Sequence, residues 1–248
     1  PVVAGPQAPS VDGTTIDDRR EVGRSRRAAV PRSSLAELVV PTRDPVAAVL
    51  ADDTGRDADL VPVRHHRMAA SAFTFYRGSA GLMAGDLAAG TSTGLTVQLC
   101  GDAHLSNFGL FATPERRLTF DLNDFDETHP GPWEWDLQRL AASVHLAAAA
   151  AGHTPEEIER SVRSSAQAYR RRMALYAETR TLDVWYDAVD LDTSLPSVRR
   201  AENRRILEGV MDRARRRTGE RAAARLTEPG PEPGTIRFRS DLPLMWRL

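Results

Sequence analysis

Apolar residues along the chain fall into two kinds of pattern. In the second half, Leu137, Leu140, Ala141, Val144 and Ala148 recur every three to four residues, the spacing that lines one face of an α-helix. A helix is therefore expected to open at Pro132 and to end at Gly152. Thr154-Pro155-Glu156-Glu157 then reads as a helix start, with Thr154 as cap, Pro155 in the first turn and Glu157 closing a capping box. Ile158, Val162, Tyr169, Met173 and Tyr176 form the apolar stripe of that helix. Further helical pieces are expected over 35–40, 45–50, 182–189 and 196–218, and over 64–89 with a break near Gly78. The other pattern is short and strand-like. Residues 95–100, 107–112 and 118–122 are brief apolar runs, and Thr113-Pro114-Glu115-Arg116 supplies the turn that folds the second onto the third. The sum is an α+β fold, mostly helical, with a small β-hairpin sheet.

Two of the strand-like runs, 95–100 and 118–122, are set apart by their ends, because each delivers acids and amides at its C-terminus. Asp102, Asn107, Asp121, Asp124 and Asp126 are oxygen donors of the kind that magnesium selects. Phosphoryl transfer asks for little more: a carboxylate to orient the acceptor, an amide and a carboxylate for metal, and donors for the phosphates. Asp102 followed five residues later by Asn107, with Asp124-Phe125 beyond a hairpin, has the order of a kinase catalytic loop and metal loop.

Gly101-Asp102-Ala103-His104-Leu105-Ser106-Asn107 resembles the Gly-Asp-x-His-x-x-Asn loop of aminoglycoside and choline phosphotransferases, and Asn123-Asp124-Phe125-Asp126 resembles their metal loop. Together with Phe75-Tyr76-Arg77-Gly78, Asn107-Phe108-Gly109 and Glu127-Thr128, these motifs are similar to those of the DUF2252 family, bacterial proteins placed in the kinase-like superfamily. The resemblance runs from about Gly23 to the last residue. It implies a kinase-like catalytic lobe over 34–248, with Asp102 as catalytic base and His104 shaping the catalytic loop. Asn107 and Asp124 would be metal ligands, and Asp136 the acid that braces the loop. Asp126 and Asp121 are candidates for a second metal. Mg2+ and ATP or another nucleoside triphosphate are the cofactors it implies, and a small molecule or protein is the acceptor.

Composition modifies this picture at one point. All 33 basic residues are arginine, so the lysine that kinases place on nucleotide phosphates is absent, as is a Gly-x-Gly-x-x-Gly loop. The resemblance implies that family members continue beyond this segment into a part that holds both. Arg77 either clamps a phosphate or holds a carboxylate of the acidic loops. Two other functions stay open: a kinase-like nucleotide-binding module without transfer, and a metal-dependent phosphohydrolase using His104 and His129.

The remaining features narrow the class. A net charge of −1 gives no bulk attraction to nucleic acid or to a membrane surface. Cys100, the one cysteine, excludes an intrachain disulfide and fits a reducing, cytoplasmic setting. The longest apolar run, 140–151, is far short of the ~20 residues of a membrane span. Residues 1–33, rich in proline, glycine and charge, read as an extended basic arm, and 228–234 as a linker. The arginines of 199–217 interleave with Glu202, Glu208 and Asp212 and read as a solvated face.

Overall fold

The computed structural model describes residues 15–37, 39, 42–113, 115, 117–198, 200–217 and 219–240. In chain order the main elements are α1 (Ile16–Ala29), α2 (Pro45–Ala51), α3 (Val61–Met68), α4 (Ala72–Arg77), α5 (Ala80–Ala88), β1 (Thr96–Leu99), β2 (Phe108–Ala112), β3 (Leu118–Leu122) and β4 (His129–Pro132). There follow α6 (Glu134–Ala150), α7 (Pro155–Glu178), α8 (Thr181–Tyr186), β5 (Val189–Asp190), α9 (Leu191–Ser194), α10 (Ala201–Arg215), α11 (Gly219–Leu226), β6 (Thr227–Pro229) and β7 (Ile236–Phe238). The fold is mixed α and β, predominantly helical, with small antiparallel sheets. No described helix is long and apolar enough to cross a membrane. The described residues fall into two compact units: those of 1–55, 64–107 and 123–186 form the first, and those of 56–63, 108–122 and 187–248 the second.

In the first unit, α6 packs along α7 and also meets α4 and α5. The capping box at Thr154 is present as expected, with Glu157 N–H donating to Thr154 Oγ1 at 3.3 Å. The Trp133 and Tyr169 rings stack at 5.9 Å between centroids. Two expectations need correcting. The stretch expected as an extended arm carries α1, because a capping box of Thr15 and Asp18 starts a helix and the pairs Asp17–Arg20 and Glu21–Arg24 run along it at i,i+3. Pro132 closes β4 instead of opening α6. β1 and β4 form a two-stranded ladder in which Thr96 pairs with Pro132 and Gln98 with Pro130, where a residue without an N–H is tolerated on an edge.

In the second unit, the expected hairpin forms: β2 and β3 pair from Phe108–Leu122 to Ala112–Leu118, and β5 adds a third strand beside β3. Pro114 and Arg116 of the expected turn lie outside the described residues; Thr113 N–H donates to Arg117 O at 2.9 Å across it. Leu118, Leu191 and Met211 are buried together, with Leu110, Leu195 and Leu207 packed against them. The stretch expected as a linker is the turn of the β6–β7 hairpin, which Gly234 makes possible with a φ of +80°.

Candidate active site

The site is built on one face of α6. Asp136, Arg139 and Ser143 stand at i, i+3 and i+7, hence one above the other along the helix. They meet the loop after β1 in the same order. The Asp136 carboxylate accepts from Cys100 N–H at 2.7 Å and Gly101 N–H at 3.1 Å. Arg139 donates to Asp102 Oδ1 from Nε at 2.6 Å and from Nη2 at 2.5 Å. Ser143 Oγ, fully buried, accepts from Leu105 N–H at 3.1 Å. The loop can lie this close because Gly101 has a φ of +81°, and a Cβ there would sit 1.9 Å from the Glu127 carbonyl oxygen.

Arg139 is 3 % exposed, so its charge needs more than one partner. Besides Asp102 it donates to Tyr76 O at 2.9 Å and lies over the Tyr76 ring at 4.4 Å from the centroid. Tyr76 Oη returns a hydrogen bond to Arg139 O at 2.8 Å. His104, also buried, places Nε2 3.3 Å from Asp102 Oδ2 and turns a ring edge toward Phe73. Its Nδ1 has no partner among the described residues.

Asn107 joins this loop to the acidic one. It is 4 % exposed, and Nδ2 donates to Asp102 O at 3.0 Å and to Asp124 O at 3.2 Å. Its backbone carbonyl accepts from Asn123 N–H at 2.9 Å. The carboxylate of Asp124 takes a 3.4 Å contact from Asp126 N–H, and Asp124, Phe125, Asp126 and Glu127 are all exposed. Thr128 closes the loop by donating to Leu99 O at 2.5 Å.

Electrostatics follow from these contacts. Burial pushes the Asp102 carboxyl upward, but the hydrogen bond from His104 and the charge and hydrogen bonds of Arg139 outweigh it and hold it below the usual aspartate value. Burial pushes the Tyr76 phenol up to about 12, against the pull of Arg139. Burial likewise raises the Cys100 thiol, so it stays protonated and inert.

Asp102, His104, Asn107 and Asp124 are thus brought together, with Asp126 next to Asp124. Arg77 ends α4 and is exposed, and the carboxylate of Asp102 is held by Arg139. Asp121 belongs to the second unit, where its carboxylate accepts from Leu122 N–H at 2.8 Å. His129 is exposed and its Nδ1 lies 2.9 Å from Glu127 O. Arg139 and Ser143 were not picked out from the sequence. The signal was there: with Asp136 they form a polar stripe at helical spacing inside an otherwise largely apolar helix.

Among the described residues, no three His, Cys, Asp or Glu side chains converge as a metal-binding group. The Asp124, Asp126 and Glu127 carboxylates of the second loop are exposed.

The family model described as "Uncharacterized protein conserved in bacteria (DUF2252)" matches residues 56–248. No curated protein and no solved structure matches the chain. The chain belongs to the DUF2252 family.

Proposed function

For this DUF2252 member we propose a magnesium-dependent phosphotransferase that moves a phosphoryl group from a nucleoside triphosphate, such as ATP, to a small-molecule or protein acceptor. The observation that carries this reading is Asn107 Nδ2 bridging the main-chain carbonyls of Asp102 and Asp124. It joins a braced aspartate to an exposed one across 22 residues of sequence, as a reaction with an acceptor on one side and metal-bound phosphates on the other requires. In that reading Asn107 and Asp124 would hold the magnesium, which would supply charge neutralisation on the phosphates, and Asp126 would be the candidate for a second ion.

Asp102 then acts on the acceptor. Its Oδ1 is taken by Arg139, whereas among the described residues Oδ2 has the longer contact with His104, so Oδ2 is the oxygen offered to an acceptor hydroxyl. The hydroxyl oxygen bonds to the γ-phosphorus as the bond to the bridging oxygen breaks, and the hydroxyl proton passes to Oδ2. A carboxylate held below its usual value is a weak base, which suffices for a loose transition state in which proton transfer comes late. His104 and Arg139 are positioning residues here, since both are buried.

The absence of lysine favours a second reading, a nucleotide-binding module without transfer. A phosphohydrolase built on His104 gains no support, because Nε2 of that ring is turned to Asp102. Nucleotide turnover in the presence of Mg2+ separates the first two. We expect Asp102→Asn and Asp124→Asn each to lose about 100-fold or more. Equal turnover in all three proteins would remove these residues from the mechanism, and calorimetric binding without turnover would leave the binding module.

A further inference from the structure

Phe75-Tyr76-Arg77-Gly78 is a motif of the sequence that the proposed reaction leaves unused. Its tyrosine nevertheless meets Arg139 at three points. The guanidinium lies over the Tyr76 ring, 4.4 Å from the centroid, and Nη2 donates to Tyr76 O at 2.9 Å. Tyr76 Oη donates to Arg139 O at 2.8 Å, which ties α4 to α6 at the same residue. The neighbour of the remaining nitrogen, Nη1, is Met83 Sδ at 3.6 Å, a weak acceptor. These contacts go with an offset posture of the guanidinium. An arginine and a carboxylate commonly close as a fork, with one N–H to each oxygen. Here Nε and Nη2 both reach Asp102 Oδ1, at 2.6 and 2.5 Å, and Oδ2 is left with the 3.3 Å contact to His104.

We propose that Tyr76 is a positioning residue: by holding the Arg139 guanidinium in this offset posture, it keeps Asp102 Oδ2 open for the acceptor hydroxyl. The consequence for catalysis rests on the phosphotransferase reading; the clamp itself does not. A closed fork would take the oxygen that the hydroxyl needs. Two features give the ring its hold. Arg139 is 3 % exposed, and a cation over an aromatic face gains most where water is excluded. The ring is itself fixed, because its hydroxyl is tied to the main chain of the helix that carries Arg139. An ordinary core tyrosine packs its ring on apolar neighbours, whereas Tyr76 gives ring face, hydroxyl and carbonyl to one charged residue.

Crystal structures of the whole chain and of Tyr76→Leu, read together with steady-state nucleotide turnover, test it. Tyr76→Leu keeps the carbonyl and removes the ring and the hydroxyl, so we expect Arg139 to close the fork on both oxygens of Asp102. We expect kcat to fall about tenfold, the scale of one buried cation–ring contact, with KM for the nucleotide unchanged, because the effect lies on the acceptor side. Tyr76→Phe keeps the ring and should retain the offset posture, losing no more than about threefold. Should Tyr76→Leu lose its helical circular dichroism, pentafluorophenylalanine placed at position 76, which keeps the ring shape without its negative face, should give the fork and the same fall. Arg139 remaining on one oxygen when the ring face is gone overturns the proposal, as does an unchanged kcat beside a closed fork, the result of a tyrosine that serves stability alone. If the unaltered chain turns over no nucleotide, the phosphotransferase reading fails, and the presence or absence of the fork in Tyr76→Leu alone decides the clamp.

Discussion

The two loops of the candidate site are held in opposite ways. The loop of residues 100–107 is fixed through side chains: Asp136, Arg139 and Ser143 of α6 grip its amides and its aspartate, and Asn107 is turned inward. The loop of residues 123–128 is fixed through its backbone, by the Asn123 N–H, the Asp124 carbonyl and Thr128, while its carboxylates face solvent. One loop has its charge satisfied by the protein, and the other leaves its charge for something else. That difference, one acid paired inside the protein and the other exposed, is what the proposed phosphotransferase reading rests on.

The contrast can be broken from the rigid side first. Removing Arg139 leaves Asp102 half-buried and unpaired, so Arg139→Ala should cost about 3–5 kcal/mol in urea unfolding. A loss under about 1 kcal/mol would mean that α6 does not hold the loop. Gly101→Ala should cost about 1–3 kcal/mol from the left-handed backbone alone, with more from the approach to Glu127 O. Asp136→Ala removes the acceptor of two amides, about 1–3 kcal/mol, and should expose Cys100. As the sole thiol it reports the opening directly, through faster alkylation of the native protein. Asp102 adds a pH signature. Its carboxyl is depressed in the folded chain, so its contribution is present above the unfolded value of about 3.9 and is lost as pH falls through the lower folded value. The acid limb of stability below about pH 4 should therefore flatten in Asp102→Asn, measured against the variant's own neutral-pH stability. From the open side the effects should be smallest: Asp124→Asn and Asp126→Asn should change stability by less than about 0.5 kcal/mol, or raise it slightly by relieving repulsion between neighbouring carboxylates.

The same contrast explains which features were legible in the sequence. Helices α6, α7 and α10 follow from apolar spacing, and α7 also from its capping box, because these signals are local. The β2–β3 hairpin and the acids beyond it were legible for the same reason. Asp136 stood out only through the family resemblance, since an acid in a first helical turn has an ordinary explanation in the helix dipole. Arg139 and Ser143 look like interruptions of an apolar helix until the loop they hold is placed against it, and that placement is tertiary. β4 was hidden by its two prolines, and α1 by a composition that suits both a solvated arm and a helix with i,i+3 pairs.

Under the proposed reading Asn107 and Asp124 would hold a divalent ion, and Mn2+ in place of Mg2+, followed by electron paramagnetic resonance with ATP present, puts that binding to the test. We expect the protein to deplete the free Mn2+ signal with a dissociation constant at least about tenfold tighter than that of Asn107→Ala or Asp124→Asn, and Asp102→Asn to keep most of the binding. Equal depletion by the unaltered chain and Asp124→Asn would contradict the account.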